Sequence, residues 1–210
     1  MTRIPFPSMK RALVAILRGI RPDETEEIID GLIEAGLTAI EIPLNSPEPF
    51  RSIEMAAKRA PADVLIGAGT VLTVEDVDRL DDAGGRLMVS PNVDAAVIGR
   101  AASHGMVTMP GVFSPTEALA ACAAGASALK FFPASVLGPS GITAISAVLP
   151  PDVPIGAVGG VGNTDFAAYA KVGIRTFGLG SSLYKKGMAA EEVARRGREA
   201  VAAYDALEIS

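Results

Sequence analysis

The chain of 210 residues has no tryptophan, one cysteine (Cys122) and one histidine (His104). A lone cysteine forms no internal disulfide, which points to a reducing compartment, here read as the cytoplasm. One histidine and one cysteine cannot supply a zinc site of the usual ligands, so no zinc is expected; an oxygen-ligated Mg²⁺ stays open, and no metal or cofactor is called for by the chemistry read below. The opening stretch "MTRIPFPSMKRALVAILRG" has an apolar run broken by Arg18 and no cleavage-site pattern, so no signal peptide is read. No run approaches the ~20 continuous apolar residues of a membrane span. Basic clusters are also missing, and the formal net charge of −5 argues against nucleic acid as a partner.

What is there is apolar and regular. Hydrophobic residues make up 49% of the chain. A chain this long buries about 70% of its unfolded surface and needs no staples. Eight β-rich runs alternate with helical patterns: "LVAILRG" (13–19), "TAIEIPLN" (38–45), "VLIGAGTV" (64–71), "RLMVSPN" (86–92), "VTMPGV" (107–112), "ALKFFPAS" (128–135), "PIGAVGGV" (154–161) and "TFGLGSS" (176–182). Such alternation implies right-handed βα units and a parallel sheet, and eight units imply an α/β fold of the closed (β/α)8 TIM-barrel type. No linker interrupts the series, so residues 1–210 are read as one domain. Ser114, Pro115 and Glu117 form a capping-box pattern, and "SPEPF" and "TVEDV" are expected to open helices in related ways. Gly36, Gly125 and Gly173 each end a helix just before a strand, as a left-handed cap requires.

Those glycines serve as a ruler. Glu41 lies five residues after Gly36 and Lys130 five after Gly125, while five after Gly173 stands Gly178, with no side chain. With similar turns, Glu41 and Lys130 occupy equal depth on the second and sixth strands and face each other inside the barrel, with room left at the eighth. A lysine in so apolar a run is a problem unless its charge is relieved, because burial disfavours the ammonium form. A neutral amine attacks a ketone to form a Schiff base, and Glu41, between Ile40 and Ile42, suits proton transfer if its own pKa is raised. A plain buried ion pair is the competing interpretation. Two glycine-rich strand ends, "AVGGVGN" (157–163) and "GLGSS" (178–182), expose backbone N–H groups where barrels of this kind hold phosphate. Thr70, after "GAG", lies near the same rim. Arg18 ends the first strand, where a cation suits a carboxylate or phosphate, or simply a neighbouring acid.

With these residues in view, "GAGTVL", "SPN", "LKFFPAS", "AVGGV" and "GLGSSL" resemble the aldolases that cleave 2-keto-3-deoxy-6-phosphosugar acids, over nearly the whole chain. The resemblance implies a class I aldolase on a (β/α)8 barrel, a homotrimer, which forms a Schiff base with pyruvate and releases glyceraldehyde 3-phosphate. It implies Lys130 as the Schiff-base lysine, kept dry by Phe131 and Phe132, and Glu41 as the proton shuttle. Arg18, Thr70 and Pro91 would line the pyruvate end, and Gly159, Gly160, Gly180 and Ser181 would hold the phosphate. Gluconate-type members tend to read Glu-Val-Thr-Leu-Arg where this chain reads "EIPLN", and threonine where it has Val158. With Asn45 and Val158 in those places, "AILRG", "EIPLNSP" and "AVGGV" resemble the galactonate branch. The gluconate epimer, a sugar-phosphate isomerase or epimerase on the same barrel, and a non-catalytic binder are the alternatives. His104 is expected to favour a helix end, Cys122 to pack a helix, and "EEVARRGREA" (191–200) to form a solvated charged face.

Overall fold

A computed structural model describes residues 3–207. The elements follow in the order β1 (Leu13–Ile16), α1 (Pro22–Ala35), β2 (Ala39–Pro43), α2 (Pro49–Arg59), β3 (Leu65–Gly69), α3 (Val74–Asp82), β4 (Leu87–Val89), α4 (Ala95–Ser103), β5 (Val107–Met109), β6 (Gly111–Val112), α5 (Pro115–Ala123), β7 (Leu129–Phe131), α6 (Ala134–Ser146), β8 (Ile155–Val158), α7 (Phe166–Ala170), β9 (Thr176–Leu179) and α8 (Ala190–Asp205). All strand pairs are parallel, in the order β5-β4-β3-β2-β1-β9-β8-β7-β6. The two ends of that order, β5 and β6, are halves of one strand parted by Pro110 alone, so the sheet closes on itself as an eight-fold βα barrel. Proline has no N–H to give to a ladder. Its carbonyl still accepts the Lys130 backbone N–H at 3.0 Å.

Strand residues alternate between two cores. Ala15, Ile40, Ile42, Leu129, Phe131 and Phe177 point outward and are buried against the helices. Val14, Ile16, Ala39, Leu87, Val89, Val107, Met109, Ala128 and Val158 form the inner cluster, with Ile4, Phe6 and Met9 packed against it. Arg3 pairs with Asp152, in the turn that leads into β8, at 2.7 Å. The segment ahead of β1 therefore covers the barrel end where the strands begin and leaves the other end open.

Helix punctuation agrees with the expected chemistry except at one place. Ser114 Oγ accepts the Glu117 N–H at 3.3 Å while the Glu117 carboxylate accepts the Ser114 N–H at 2.8 Å. Thr73 caps α3 by accepting from the Asp76 N–H at 3.1 Å. The "SPEPF" start is different: Glu48 is the cap residue, at φ 42 with no side-chain capping bond. Ser46 is drawn away, accepting the Gly19 N–H at 2.9 Å, so it ties the loop after β2 to the loop after β1. Gly36, Gly125 and Gly173 take φ of 100, 90 and 85, the left-handed caps expected of them. His104 follows α4 and reaches Asp78 at 3.1 Å and Asp81 at 2.9 Å on α3. Cys122 is a free, half-buried thiol in α5. Arg195 and Arg196 bond to Glu192 along α8, which makes the expected charged face. Among the described residues no helix is long and apolar enough to cross a membrane.

Candidate active site

Period-two alternation along β7 turns Ala128, Lys130 and Phe132 inward and Leu129 and Phe131 outward. Phe131 therefore does not shield the lysine, contrary to what adjacency in sequence suggested. Phe132 does, with its ring centroid 4.8 Å from Lys130 Nζ. In the ladder Lys130 is flanked by Gly111 and Gly156, so neither neighbouring strand crowds it with a side chain. Glu41, on β2, lies between Ile16 and Gly67. Lys130 is 6% exposed and Glu41 1%, and among the described residues they are the two charged side chains that are buried.

Burial pushes the Lys130 ammonium below its ordinary pKa; Glu41 opposes that shift and Arg18 adds to it. Burial also raises the Glu41 carboxyl to about 7, against the pull of Lys130 and Arg18. Each group thus feels the other's charge across the barrel interior. Glu41 Oε2 has no hydrogen-bond partner although it is buried. It occupies the space a side chain on Gly69 would take: a Cβ there would lie 1.9 Å from it. Gly69 is thus part of the carboxyl's socket, a role that a glycine at a strand end does not reveal in sequence. The room expected at Gly178 is filled instead, since a Cβ there would meet Val158 at 2.7 Å and Ile16 at 3.3 Å.

The loops at the strands' C-terminal ends assemble a rim above this pair. Arg18 Nη1 donates to Asn45 Oδ1 at 2.5 Å and reaches Thr70 Oγ1 at 3.5 Å. Thr70 holds φ 57, a left-handed conformation that is costly for a β-branched residue and that concentrates at functional sites. Pro91 backs onto Gly111, whose Cβ would lie 2.4 Å from the Pro91 carbonyl oxygen. Because Gly111 pairs with Lys130, Pro91 is one strand from the amine. Gly159 and Gly160 take φ of 91 and 74 against the start of α6: side chains there would strike the Phe132 ring at 2.9 Å and Ser135 Oγ at 2.5 Å. Gly180 faces open space. It opens onto a cavity of about 400 Å³ lined by Ile16, Arg18, Ser181, Tyr184, Lys185 and Lys186 as well. The "YKK" at 184–186 carries no glycine signal, so only the fold brings it to this cavity.

A closed barrel with a buried lysine and a buried carboxyl below glycine turns defines an enzyme of the α/β-barrel class. The chain belongs to the KDPG and KHG aldolase family, whose profile matches residues 8–201. It is 70% identical over 207 residues, 99% of this chain and 98% of the relative, to "Probable 2-dehydro-3-deoxy-6-phosphogalactonate aldolase" of Rhizobium meliloti (strain 1021). It is 46% identical over 195 residues, 93% of this chain and 95% of the relative, to "2-dehydro-3-deoxy-6-phosphogalactonate aldolase" of Escherichia coli (strain K12). Among solved structures, "Native KDPGal structure" superposes with a TM-score of 0.93 at 45% identity, over 96% of this chain and 97% of that one.

Proposed function

We propose that the chain is a class I aldolase that cleaves 2-dehydro-3-deoxy-6-phosphogalactonate to pyruvate and D-glyceraldehyde 3-phosphate. The observation that carries this reading is the buried Lys130–Glu41 pair, the lysine driven toward its neutral form and the carboxyl toward neutral pH. The neutral Lys130 amine attacks the C2 ketone, and loss of water leaves an iminium. Glu41 takes the proton from the C4 hydroxyl as the C3–C4 bond breaks, and the bonding pair flows into the iminium to give an enamine. The same carboxyl then returns that proton to C3, and water releases pyruvate. One group serves as base and then as acid because its pKa lies near neutrality.

Arg18, held by Asn45 and Thr70, binds the carboxylate end together with Pro91, and Phe132 excludes water from the amine. The N–H groups around Gly159, Gly160, Gly180 and Ser181 hold the phosphate. Val158, beside Gly178 on the inner face, bounds the site where the C4 hydroxyl lies. The galactonate epimer is favoured by the two curated relatives named for it. The enzyme works in the cytoplasm as a one-domain homotrimer. Phe113, Leu119 and Val136, exposed apolar side chains on the consecutive β6-α5 and β7-α6 units, support that assembly.

The test is trapping. Pyruvate and borohydride should leave one reduced pyruvyl group on Lys130, and Lys130→Met should take no label and cleave nothing. Label on Lys171, Lys185 or Lys186 instead, or none at all, would overturn the assignment.

A further inference from the structure

The cavity between the ends of β1 and β9 runs from Ile16, on the inner face beside Glu41, past Arg18 and the Gly180–Ser181 turn, to Lys185 and Lys186. Three cations line it and no carboxylate does. That is the reverse of the molecule as a whole, which carries a net charge of −5. Among the described residues neither Lys185 nor Lys186 pairs with an acid. The acid close in structure to this segment, Glu24, is engaged elsewhere: it accepts the Tyr184 hydroxyl at 2.7 Å and stands 3.5 Å from Arg21.

Both lysines sit on a pinned segment. The Leu183 and Tyr184 N–H groups each donate to the Gly180 carbonyl at 2.9 Å, which folds residues 180–184 into a tight turn. Tyr184 is buried at 3% exposure, with its hydroxyl fixed to α1. Gly19, at φ 90, lies under Lys186, and a Cβ there would be 3.5 Å from the lysine's own Cβ. The stem of Lys186 is thus laid along the loop that carries Arg18. A fixed cluster of one sign in a cleft focuses the field and raises the capture rate of an oppositely charged ligand.

We propose that Lys185 and Lys186 form a cationic rim that captures the substrate's phosphate and delivers it to the Gly180–Ser181 turn. This rests on the aldolase reading above, because that reading places a phosphorylated, carboxylated ligand in this cavity. The rim acts on encounter and on phosphate affinity, and the bond-breaking step at Lys130 is left alone.

The experiment replaces both lysines by glutamine (Lys185→Gln, Lys186→Gln), which keeps the stems and removes the charges, with arginine at both positions as the rescue. In the glutamine protein kcat/KM should fall about tenfold at low salt with kcat retained. Added salt should depress kcat/KM of the parent and of the arginine protein, and barely change that of the glutamine protein. Calorimetry with inorganic phosphate as the probe should show weaker binding to the glutamine protein alone. Equal phosphate affinity and equal salt response in parent and glutamine protein would overturn the rim. Trapping of pyruvate on Lys130 is run on the same three proteins. Its failure in all of them would strike the aldolase reading, while a difference in phosphate binding would still uphold the rim.

Discussion

On its outer face the sheet presents Leu129, Phe131 and Phe177, fully buried, with Phe177 stacked on Phe166 at 4.3 Å and edge-on to Tyr204 at 6.2 Å. On the inner face the same strands present Ala128, Lys130 and Gly178, and the space holds aliphatic side chains such as Val14, Ile16, Leu87 and Met109 beside two ionisable ones. The outer layer is close-packed and without charge, so its atoms contribute to stability by leaving water and touching one another. The inner layer mixes aliphatic side chains with buried polar atoms, and these detract from stability. Residues 130 and 131, neighbours in the chain, belong to opposite sides of that division.

Exchanging the two neighbours separately is the strongest way to break the comparison. Phe131→Ala should cost about 3–5 kcal/mol of stability through lost contacts and a cavity, with kcat per folded molecule unchanged. Lys130→Met should do the opposite: cleavage is lost while stability is kept or improved, because a buried amine gives way to an apolar group of similar length. Urea unfolding alongside a pyruvate-release assay reads both. A large stability loss in the lysine variant, or a catalytic loss in the phenylalanine one, would merge the two layers.

A second test sharpens the inner layer's electrostatic character. The Glu41 carboxyl stands at about 7 when folded against an ordinary 4.5. Between those values the folded chain holds a proton that the unfolded chain has released. The resulting stability is therefore fully present below about pH 4.5 and is lost as pH rises through 7. The difference corresponds to about 3 kcal/mol in the limit. Glu41→Gln should remove that slope, measured as the difference in unfolding free energy between parent and variant across this range. An identical pH profile in the two proteins would place the origin of the slope elsewhere.

The smallest effect concerns Val158. Its methyls fill the place beside Gly178. Val158→Thr puts a hydroxyl there and should shift the ratio of kcat/KM values toward the gluconate epimer by about 1 kcal/mol, the worth of one neutral hydrogen bond. Release of pyruvate from each pure epimer measures it. A parent that prefers the gluconate epimer strongly would refute the role given to Asn45 and Val158.

Much of this was legible in the sequence because strand alternation and helix-ending glycines are local signals. The eight runs, the caps at Gly36, Gly125 and Gly173, and the equal depth of Glu41 and Lys130 all follow from short-range patterns. The misreadings share one cause: they needed to know what faces what. Phe131 adjoins Lys130 in the chain, and only the pleat separates them. Ser46 looks like a helix cap, but Gly19, across the loops, claims its hydroxyl. Gly69 and Gly178 look alike as missing side chains. One is a socket for the Glu41 carboxyl and the other is filled by Val158 and Ile16. Asn45 holds Arg18 across two loops, a pairing that no local pattern announces. No one-dimensional pattern specifies such pairings between distant loops.

The strand broken at Pro110 has a consequence for descent. Its first half is registered on β4 through Val107–Met109 and its second on β7 through Gly111 and Val112, with the proline's carbonyl holding the lysine's amide. A residue gained or lost between 107 and 112 would slip one partner by a position relative to the other, and a slip of one turns every side chain on that strand to the wrong face. Lineages that carry this barrel can thus lengthen and shorten the loops at its rim, but residues 107–112 must be inherited at constant length.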